Sequence, residues 1–167
     1  MTEPVIRDIA PSDLAAILTI NQKNVPEVGP VDAERLAFIV DETAIARVAL
    51  VDDVVAGFVL VLAPASAYDS ENYRWFMERH PDAMYLDRVA IDAPFRGRGL
   101  GSLLYTDVDR AIESRFDEAC SLTLEVNVDP PNTASLRFHE RLGFTEVGRQ
   151  VSKGLEVSMM RRTVVRW

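Results

Sequence analysis

The sequence predicts one α/β domain, in which a central sheet of about seven strands is flanked by helices. Short apolar runs bounded by turn residues predict the strands, and apolar residues at three- and four-residue spacing predict the helices. The length of 167 residues suits a single domain, and a hydrophobic content of 48% is enough to bury a sizeable core. We therefore treat residues 1–167 as one domain without an internal linker.

The first part of the chain predicts a strand, two helices and a hairpin. PVIRDIA is the first strand, and DLAAILTINQ is a helix that Ser12 caps. The second helix covers VDAERLAFIVDE. The runs AIARVALV and VVAGFVLVLA flank Asp52 and Asp53, which predicts an antiparallel hairpin whose apolar content is typical of central strands.

The remaining elements follow a polar and aromatic segment, SAYDSENYRWFMERHPDA, for which one short helix is an interpretation. MYLDRVAI is the next strand, and periodic leucines predict a helix that starts near Gly99. A strand, LTLEVNV, leads into a helix within NTASLRFHERLGF, and two strands close the domain.

Composition restricts the function classes. A net charge of −8 argues against a broad nucleic-acid or anionic-membrane surface, and Arg161, Arg162 and Arg166 are expected to form a solvated chain end. No apolar run approaches the roughly 20 residues that a bilayer span needs, and the start MTEPVIRD lacks the features of a signal peptide. We expect a cytoplasmic protein with neither nucleic-acid nor membrane partners.

Cysteine usage predicts neither a disulfide nor a metal site. Cys120 is the single cysteine of the chain, and no second cysteine or nearby histidine accompanies it. We expect its side chain to pack as a small hydrophobic group, and its position far from the glycine-rich loop disfavours a covalent thiol relay.

A glycine-rich loop precedes the longest predicted helix and is a candidate anion site. Gly97, Gly99 and Gly101 lie where backbone N–H groups lack helical partners, and Arg96 and Arg98 add positive charge. A plain connecting turn remains an alternative. Dinucleotide and P-loop interpretations are weaker, because the G-x-G-x-x-G spacing and a G-K-[ST] motif are both missing.

Two motifs carry a resemblance to a known family. RGRGLG resembles the R/Q-x-x-G-x-G/A signature of the GNAT superfamily, the Gcn5-related N-acetyltransferases, with Arg96, Gly99 and Gly101 on the signature positions. NTASLRFHERLGF resembles the second signature, N-x-x-A-x-x-x-Y-x-x-x-G-F, although Ser135 replaces the alanine and His139 the tyrosine. The order of elements is also similar, so the resemblance covers essentially the whole chain.

The resemblance implies a mixed, mostly antiparallel sheet of the GNAT fold and acetyl-CoA as cosubstrate, with no metal. It also implies that the strands YLDRVAI and LTLEVNV splay apart to admit the pantetheine, with the Val89 N–H as oxyanion donor. The residues expected to bind the cosubstrate are Val89, Ala90, Ile91, Arg96, Gly97, Arg98, Gly99, Leu100, Gly101, Ser102, Asn132 and Ser135.

Three residues are candidates for proton transfer. His139 occupies the family's tyrosine position and could protonate the leaving thiolate, or it could be an ordinary helix residue. Strand alternation makes Asp87 and Glu125 candidates for the base, although either could form an ion pair with a neighbouring arginine. A chain of waters is the alternative to one dedicated base.

Crowded aromatic and acidic residues predict an acceptor pocket for a small or medium cationic amine. The expected acceptor contacts are Glu27, Tyr73, Trp75 and Tyr85. The aromatic residues could instead fill a satellite core or a homodimer interface. The sequence thus predicts direct acetyl transfer from acetyl-CoA to a small-molecule amine, with an acyl-CoA sensor and a protein lysine or N-terminal acetyltransferase as alternatives.

Overall fold

The structure, a computed structural model, describes residues 2–119, 121–164 and 166. Within these residues it contains seven strands and five α-helices in the predicted order. The strands are β1 Val5–Asp8, β2 Ile45–Val51, β3 Val54–Leu62, β4 Met84–Ile91, β5 Ser121–Asp129, β6 Thr145–Ser152 and β7 Leu155–Thr163. The helices are α1 Leu14–Lys23, α2 Ala33–Glu42, α3 Glu71–Arg79, α4 Leu100–Arg115 and α5 Thr133–Arg141. Cys120 lies outside the described residues, together with the expectations placed on it.

All seven strands form one sheet in the order β1-β2-β3-β4-β5-β7-β6. β4 and β5 run parallel, and each other neighbouring pair is antiparallel. The predicted hairpin is confirmed: Asp52 and Asp53 join β2 to β3 with φ of 50° and 62°, the left-handed conformation that tight hairpin turns require. The predicted mixed, mostly antiparallel sheet of seven strands is therefore confirmed.

The parallel pair separates soon after it begins. The pairing of β4 with β5 consists, among the described residues, of Met84 with Leu122 and Tyr85 with Thr123. β4 nevertheless continues to Ile91 along β3, and β5 continues to Asp129 along β7. The two strands therefore leave a wedge between them, as the resemblance implied.

Helices cover both faces of the sheet. On one face, α4 contributes Leu104, Val108 and Ile112 to a buried cluster against which residues of α5 pack. On the other face, α1, α2 and α3 build a second cluster that includes Ile17 and Leu36. Because both faces are covered, the central strands are nearly continuous apolar runs rather than alternating ones.

Two local expectations were wrong. Ser12 does not cap the first helix, because a 3-10 turn, Pro11–Asp13, precedes α1 and the Asp13 carboxylate accepts the Ala10 N–H at 2.7 Å. The C-terminal arginines are not all solvated: Arg162 is 8% exposed and donates to both carboxylate oxygens of Asp109 at 2.8 Å. This buried ion pair joins β7 to α4.

No helix among residues 2–119, 121–164 and 166 is long and apolar enough to cross a bilayer. The same part of the chain contains no cluster of three or more His, Cys, Asp or Glu residues that could hold a metal ion.

Candidate active site

A cavity of about 630 Å³ opens where β4 and β5 separate. The loop between α1 and α2 and the first turn of α3 form one side, and the turn between β6 and β7 forms another. The floor comes from β4, β5, α4 and α5. The polar and charged residues used below that line it are Glu27, Arg35, Tyr68, Asp69, Asn72, Asp87, Arg88, Tyr105, Glu125, Asn127, Ser135, His139 and Lys153.

Glu125 is a deep acidic group of this cavity. It lies on β5 just beyond the point where β4 diverges, and the Tyr85 hydroxyl lies 2.9 and 2.7 Å from its two oxygens. Tyr85 is fully buried beneath it. The carboxyl group is therefore held from below while its half-buried residue still faces the cavity.

The surroundings of Glu125 favour its protonated form. Burial, followed by the negative charge of Asp87, raises the pKa of Glu125 to about 8. Hydrogen bonds from Tyr85 and Asn72 and the charge of Arg88 act in the opposite direction. A carboxyl group with such a pKa exchanges protons near neutral pH, as a general base must.

Both carboxylate oxygens of Asp87, the other candidate base, have partners within the protein. Its Oδ1 accepts the Tyr68 hydroxyl at 2.6 Å, and its Oδ2 forms an ion pair with Arg88 Nε at 2.7 Å. Both oxygens thus have partners within the protein, which leaves Glu125 better placed to receive a proton from an acceptor. The predicted salt bridge to Arg88 exists at Asp87.

The two splayed strands hold the loop between α1 and α2 over the cavity. From β4, Arg88 Nη1 donates to the Gly29 carbonyl at 3.1 Å and to Asn21 Oδ1 at 3.0 Å. From β5, Asn127 Nδ2 donates to the Pro26 carbonyl at 3.0 Å. The loop that carries Glu27 is therefore anchored on both sides of the wedge.

His139 is buried in a hydrogen-bonded chain. Its Nε2 accepts the Tyr105 hydroxyl at 2.5 Å, and its Nδ1 donates to the Ser135 carbonyl at 2.7 Å. Burial is the largest cause that lowers the pKa of His139, so the ring is neutral at pH 7. Tyr105, from α4, supplies a phenol next to the position where the family has its tyrosine.

Two glycines of the loop before α4 adopt a left-handed backbone conformation. Gly97 and Gly99 adopt φ of 73° and 78°, and nothing lies within 4 Å of the position that a Cβ would occupy at either residue. α4 starts at Leu100, directly after them. Arg96 lies beside the loop and hydrogen-bonds the Asn24 side chain at 2.6 Å. Of the residues expected to bind the cosubstrate, Val89 on β4 and Ser135 on α5 line the cavity. All of the expected cosubstrate contacts, including these two, stay predictions.

The residues expected to contact the acceptor do not all lie at the cavity. Glu27 lines the cavity, but among the described lining residues Tyr73, Trp75 and Tyr85 do not occur. Tyr73 is 3% exposed and donates its hydroxyl to the Ala63 carbonyl at 2.7 Å. Trp75 packs on Gly148 of β6 and under the guanidinium of Arg79. For these aromatic residues the satellite-core alternative fits the contacts, and their role as acceptor contacts stays a prediction.

Asn72 and Tyr105 line the site although the sequence did not single them out, whereas Tyr68 belongs to the crowded aromatic segment from which a pocket was predicted and Arg88 was expected as an ion-pair partner. Tyr105 and Asn72 reach the cavity from helices whose periodicity marks only a buried face. Their functional contacts arise from tertiary packing, which periodicity does not report. One signal was available for Tyr105: it stands one helical turn after Gly101, on the helix that the glycine loop begins.

Comparison with known proteins agrees with this architecture. The model of the acetyltransferase (GNAT) family matches residues 14–144. Among curated proteins, none matches the sequence significantly.

Solved structures give close fold matches at low identity. The ribosomal-protein-S18-alanine N-acetyltransferase of Escherichia coli superposes with a TM-score of 0.76 at 19% identity, over 99% of this chain and 96% of its own. Ard1 of Thermoplasma volcanium gives 0.75 at 21% identity, over 98% and 99% of the two chains. NAA60 of Arabidopsis thaliana, solved in complex with acetyl-CoA, gives 0.74 at 18% identity, over 97% and 99%. At these identities the likeness concerns the fold.

Proposed function

The chain belongs to the acetyltransferase (GNAT) family, whose cosubstrate is acetyl-CoA, and we propose that it transfers the acetyl group directly to the nitrogen of a small or medium cationic amine. The observation that carries this proposal is Glu125, a carboxyl group at the floor of a cavity between splayed strands, where burial raises its pKa to about 8. An amine reacts only after it has lost its proton, and Glu125 is placed to remove it.

The loop before α4 fits the phosphates of the cosubstrate. The left-handed Gly97 and Gly99 leave open space in front of the N-terminus of α4, where backbone N–H groups and the helix dipole attract phosphate. Arg96 and Arg98 add positive charge beside this loop. Acetyl-CoA supplies a thioester whose acetyl group is activated for attack. The Val89 N–H is our candidate donor to the carbonyl oxygen of that group.

Two sets of side chains divide the proton transfers. Glu125 takes the proton of the incoming ammonium at a carboxylate oxygen, helped by the Tyr85 hydroxyl that steadies the ionised form. On the other side, the Tyr105 hydroxyl holds a proton that it shares with His139 Nε2. As the thioester C–S bond breaks, the departing sulfur receives the Tyr105 proton. The nitrogen releases its second proton to solvent as the amide C–N bond forms, and Tyr105 regains a proton from solvent before the next cycle. Cys120 has no part in this scheme, in which the amine attacks the thioester directly.

The charge pattern supports a cationic acceptor. Asp87 is paired with Arg88, and Asp69 with Arg35. Glu27 on the loop and Glu125 at the floor are the carboxyl groups on which the proposal relies, and Arg74 of α3 and Lys153 of the turn between β6 and β7 also line the cavity. An ammonium group therefore meets carboxylates that attract it, together with the hydroxyl-bearing ring of Tyr68.

A protein N-terminus is the second candidate acceptor. One of the structures with the same fold, from Escherichia coli, is named for acetylating an alanine of a ribosomal protein. The cavity of the present chain also reaches the turn between β6 and β7, at Ser152 and Lys153, where an extended chain could leave it. Acetylation of a protein lysine and simple sensing of acyl-CoA are the remaining alternatives.

Thiol release from acetyl-CoA tests the proposal. The purified protein is mixed with acetyl-CoA and, in turn, putrescine, spermidine, glutamate, an alanine-initiated tetrapeptide and an acetyl-capped lysine peptide. We expect turnover with the di- and polyamine, and a loss of about a hundredfold or more in Glu125→Gln. A preference for glutamate contradicts the cationic pocket, turnover of the tetrapeptide alone favours the protein acceptor, and tight CoA binding without turnover supports the sensor.

A further inference from the structure

We propose that Asn72 is a positioning residue for Glu125 and that Gln150, on an edge strand, sets the orientation in which Asn72 acts. The inference deepens the proposed function, because it rests on Glu125 as the base. It concerns two residues that belong to neither signature motif, one on α3 and one on β6.

The hydrogen bonds define a direction. Gln150 Nε2 donates to Asn72 Oδ1 at 2.8 Å, and Asn72 lines the same cavity as Glu125, whose ionised form it favours as a donor. Asn72 is 9% exposed, so its amide has few alternative partners. Because its carbonyl oxygen is taken by Gln150, the amide presents its N–H side to Glu125. A donor in that position stabilises the ionised carboxylate.

The packing of α3 on β6 explains why Asn72 stays in place. The indole of Trp75 lies so close to Gly148 that a Cβ there would come within 2.5 Å of it. Ser152 also donates to Glu71 at 3.2 Å, one residue before Asn72. β6 is separated from β5 by β7, so the edge strand reaches the floor of the cavity through α3. Trp75, from the aromatic segment, thus packs helix α3 against β6.

Asn72 acts among a small set of groups around Glu125. β4 contributes Tyr85, Asp87 and Arg88, and Tyr68 approaches from the segment before α3. On β7, the residue paired with Glu125 is Met159, which does not titrate. Asp87 opposes ionisation of Glu125, whereas Tyr85, Arg88 and Asn72 favour it. Asn72 is thus the donor that comes from outside the sheet.

Variants at both residues test the inference. Asn72→Leu removes the amide at similar volume, and Gln150→Met removes the group that orients it. Gln150→Glu replaces the donor by an acceptor, which turns the Asn72 amide so that its carbonyl oxygen faces Glu125. The expected order of the Glu125 pKa, from lowest to highest, is wild type, then Gln150→Met, then Gln150→Glu and Asn72→Leu.

Two measurements distinguish the effect of Asn72 on Glu125 from the role of Glu125 in the reaction. The first is the Glu125 pKa, taken from ¹³C NMR titration of glutamate carboxyl groups and assigned with Glu125→Gln. The second is the pH profile of kcat/KM with acetyl-CoA and the best amine of the panel. We expect the acid limb to move up by about one pH unit in Asn72→Leu, with about a tenfold loss at pH 7 that is recovered at high pH.

A matched control distinguishes a general destabilisation of α3 from loss of the contact between Asn72 and Glu125. Arg79→Met removes the guanidinium that lies over Trp75 at 4.1 Å and leaves Asn72 and Gln150 unchanged. Arg79→Met should leave the acid limb of the kcat/KM profile at the wild-type pH. Thermal melts check that each variant is folded. Gln150 is half-buried on the edge strand β6, so we expect its variants to fold even if Asn72→Leu does not.

Each outcome is decisive. An unchanged Glu125 pKa in Gln150→Glu and in folded Asn72→Leu overturns the inference, as does an equal shift in Arg79→Met. A shifted Glu125 pKa with an unshifted activity profile supports the positioning contact and overturns the role of Glu125 as base. Parallel shifts in both readouts support the inference and the proposed function together.

Discussion

Glu125 illustrates how a strand residue acquires reactivity from its neighbours. An exposed glutamate at pH 7 is ionised and a poor base, whereas burial together with the Asp87 charge brings its pKa to about 8. Tyr85 keeps both oxygens in place from below. The same burial that tunes the base costs stability when the group is charged, and that cost can be measured.

Glu125→Gln should stabilise the protein in a pH-dependent manner. The folded-state pKa is raised, so the stability that Glu125 contributes as a protonated group is present below pH 4.5, the usual pKa of a glutamate, and is lost as pH rises to about 8. The glutamine side chain of the variant does not titrate. The difference in unfolding free energy should therefore grow by about 1–3 kcal/mol in favour of the variant between pH 5 and pH 9.

Urea unfolding of both proteins at the two pH values measures this difference. Taking the difference between variant and wild type removes the contribution of all other titrating groups. A difference that is the same at pH 5 and pH 9 would contradict the raised pKa.

Tyr105 and His139 should both contribute to kcat. We expect Tyr105→Phe and His139→Ala to lower kcat by about a hundredfold if protonation of the leaving thiolate limits the rate, with the KM for acetyl-CoA nearly unchanged. Because burial lowers the pKa of His139, any change in kcat caused by its titration occurs below about pH 6.5. It is therefore separate from the change caused by Glu125, whose pKa is about 8. Steady-state kinetics from pH 5.5 to 9 checks this, and wild-type kcat in either variant removes that residue from the mechanism.

Sequence reasoning found the residues whose chemistry follows from strand alternation or from a motif. Glu125 and Asp87 were predicted because alternate strand residues share a face, and they do lie at one cavity. The proposed role of Asn72 could not be predicted from the sequence, because it depends on how α3 packs on β6, a strand almost eighty residues later in the chain. Arg162 was misjudged because a charged residue near the chain end is usually exposed, whereas here Asp109 compensates its burial.

At the level of elements, turn chemistry was the most reliable guide. The Asp52–Asp53 turn and the glycine loop both appear where the sequence predicts them, because few residues tolerate a positive φ. Helix α3 was only an interpretation, although Ser70 caps it by accepting the Tyr73 N–H. Its low apolar content obscured the signal, since it buries one narrow stripe against the sheet and β6.

The glycine loop and α4 should act as one anion-binding element. Arg96→Glu introduces a negative charge where we expect phosphate to bind, and Gly99→Val places a branched side chain in a left-handed conformation at the approach to the helix. We expect CoA affinity to fall by about tenfold or more in each, while Arg96→Glu changes the melting temperature little. Calorimetric titration with CoA and thermal melts provide the comparison. Unchanged affinity in both variants would remove the loop from the cosubstrate site.

Across the whole molecule, one buried ion pair joins the helix that follows the glycine loop to the strand β7. Arg162 binds both oxygens of Asp109, donates to the Leu142 carbonyl after α5, and lies 4.9 Å from the centre of the Phe144 ring. Phe144 belongs to the second signature motif. This contact, which lies behind the site, thus holds together parts of the chain that we expect to bind the cosubstrate.

Removing one partner of this pair should be far more harmful than removing both. Arg162→Met leaves the Asp109 carboxylate buried without its cation and should cost about 3–5 kcal/mol of unfolding free energy. Adding Asp109→Leu should recover much of that loss, because neither charge then remains buried. Denaturant unfolding of the single and double variants measures the coupling. Equal and additive losses would show that the pair acts as two independent side chains.

The early separation of β4 from β5 also has a consequence for hydrogen exchange. Beyond Tyr85 and Thr123, the inner edges of two central strands carry peptide groups that the sheet itself does not pair. Their outer edges remain bonded to β3 and β7 as far as Ile91 and Asp129. Adjacent amides along one strand should therefore alternate between fast and slow deuterium uptake, although both lie in the centre of the sheet. Occupation of the wedge should slow the fast set selectively, so the same strands that build the core also report on binding.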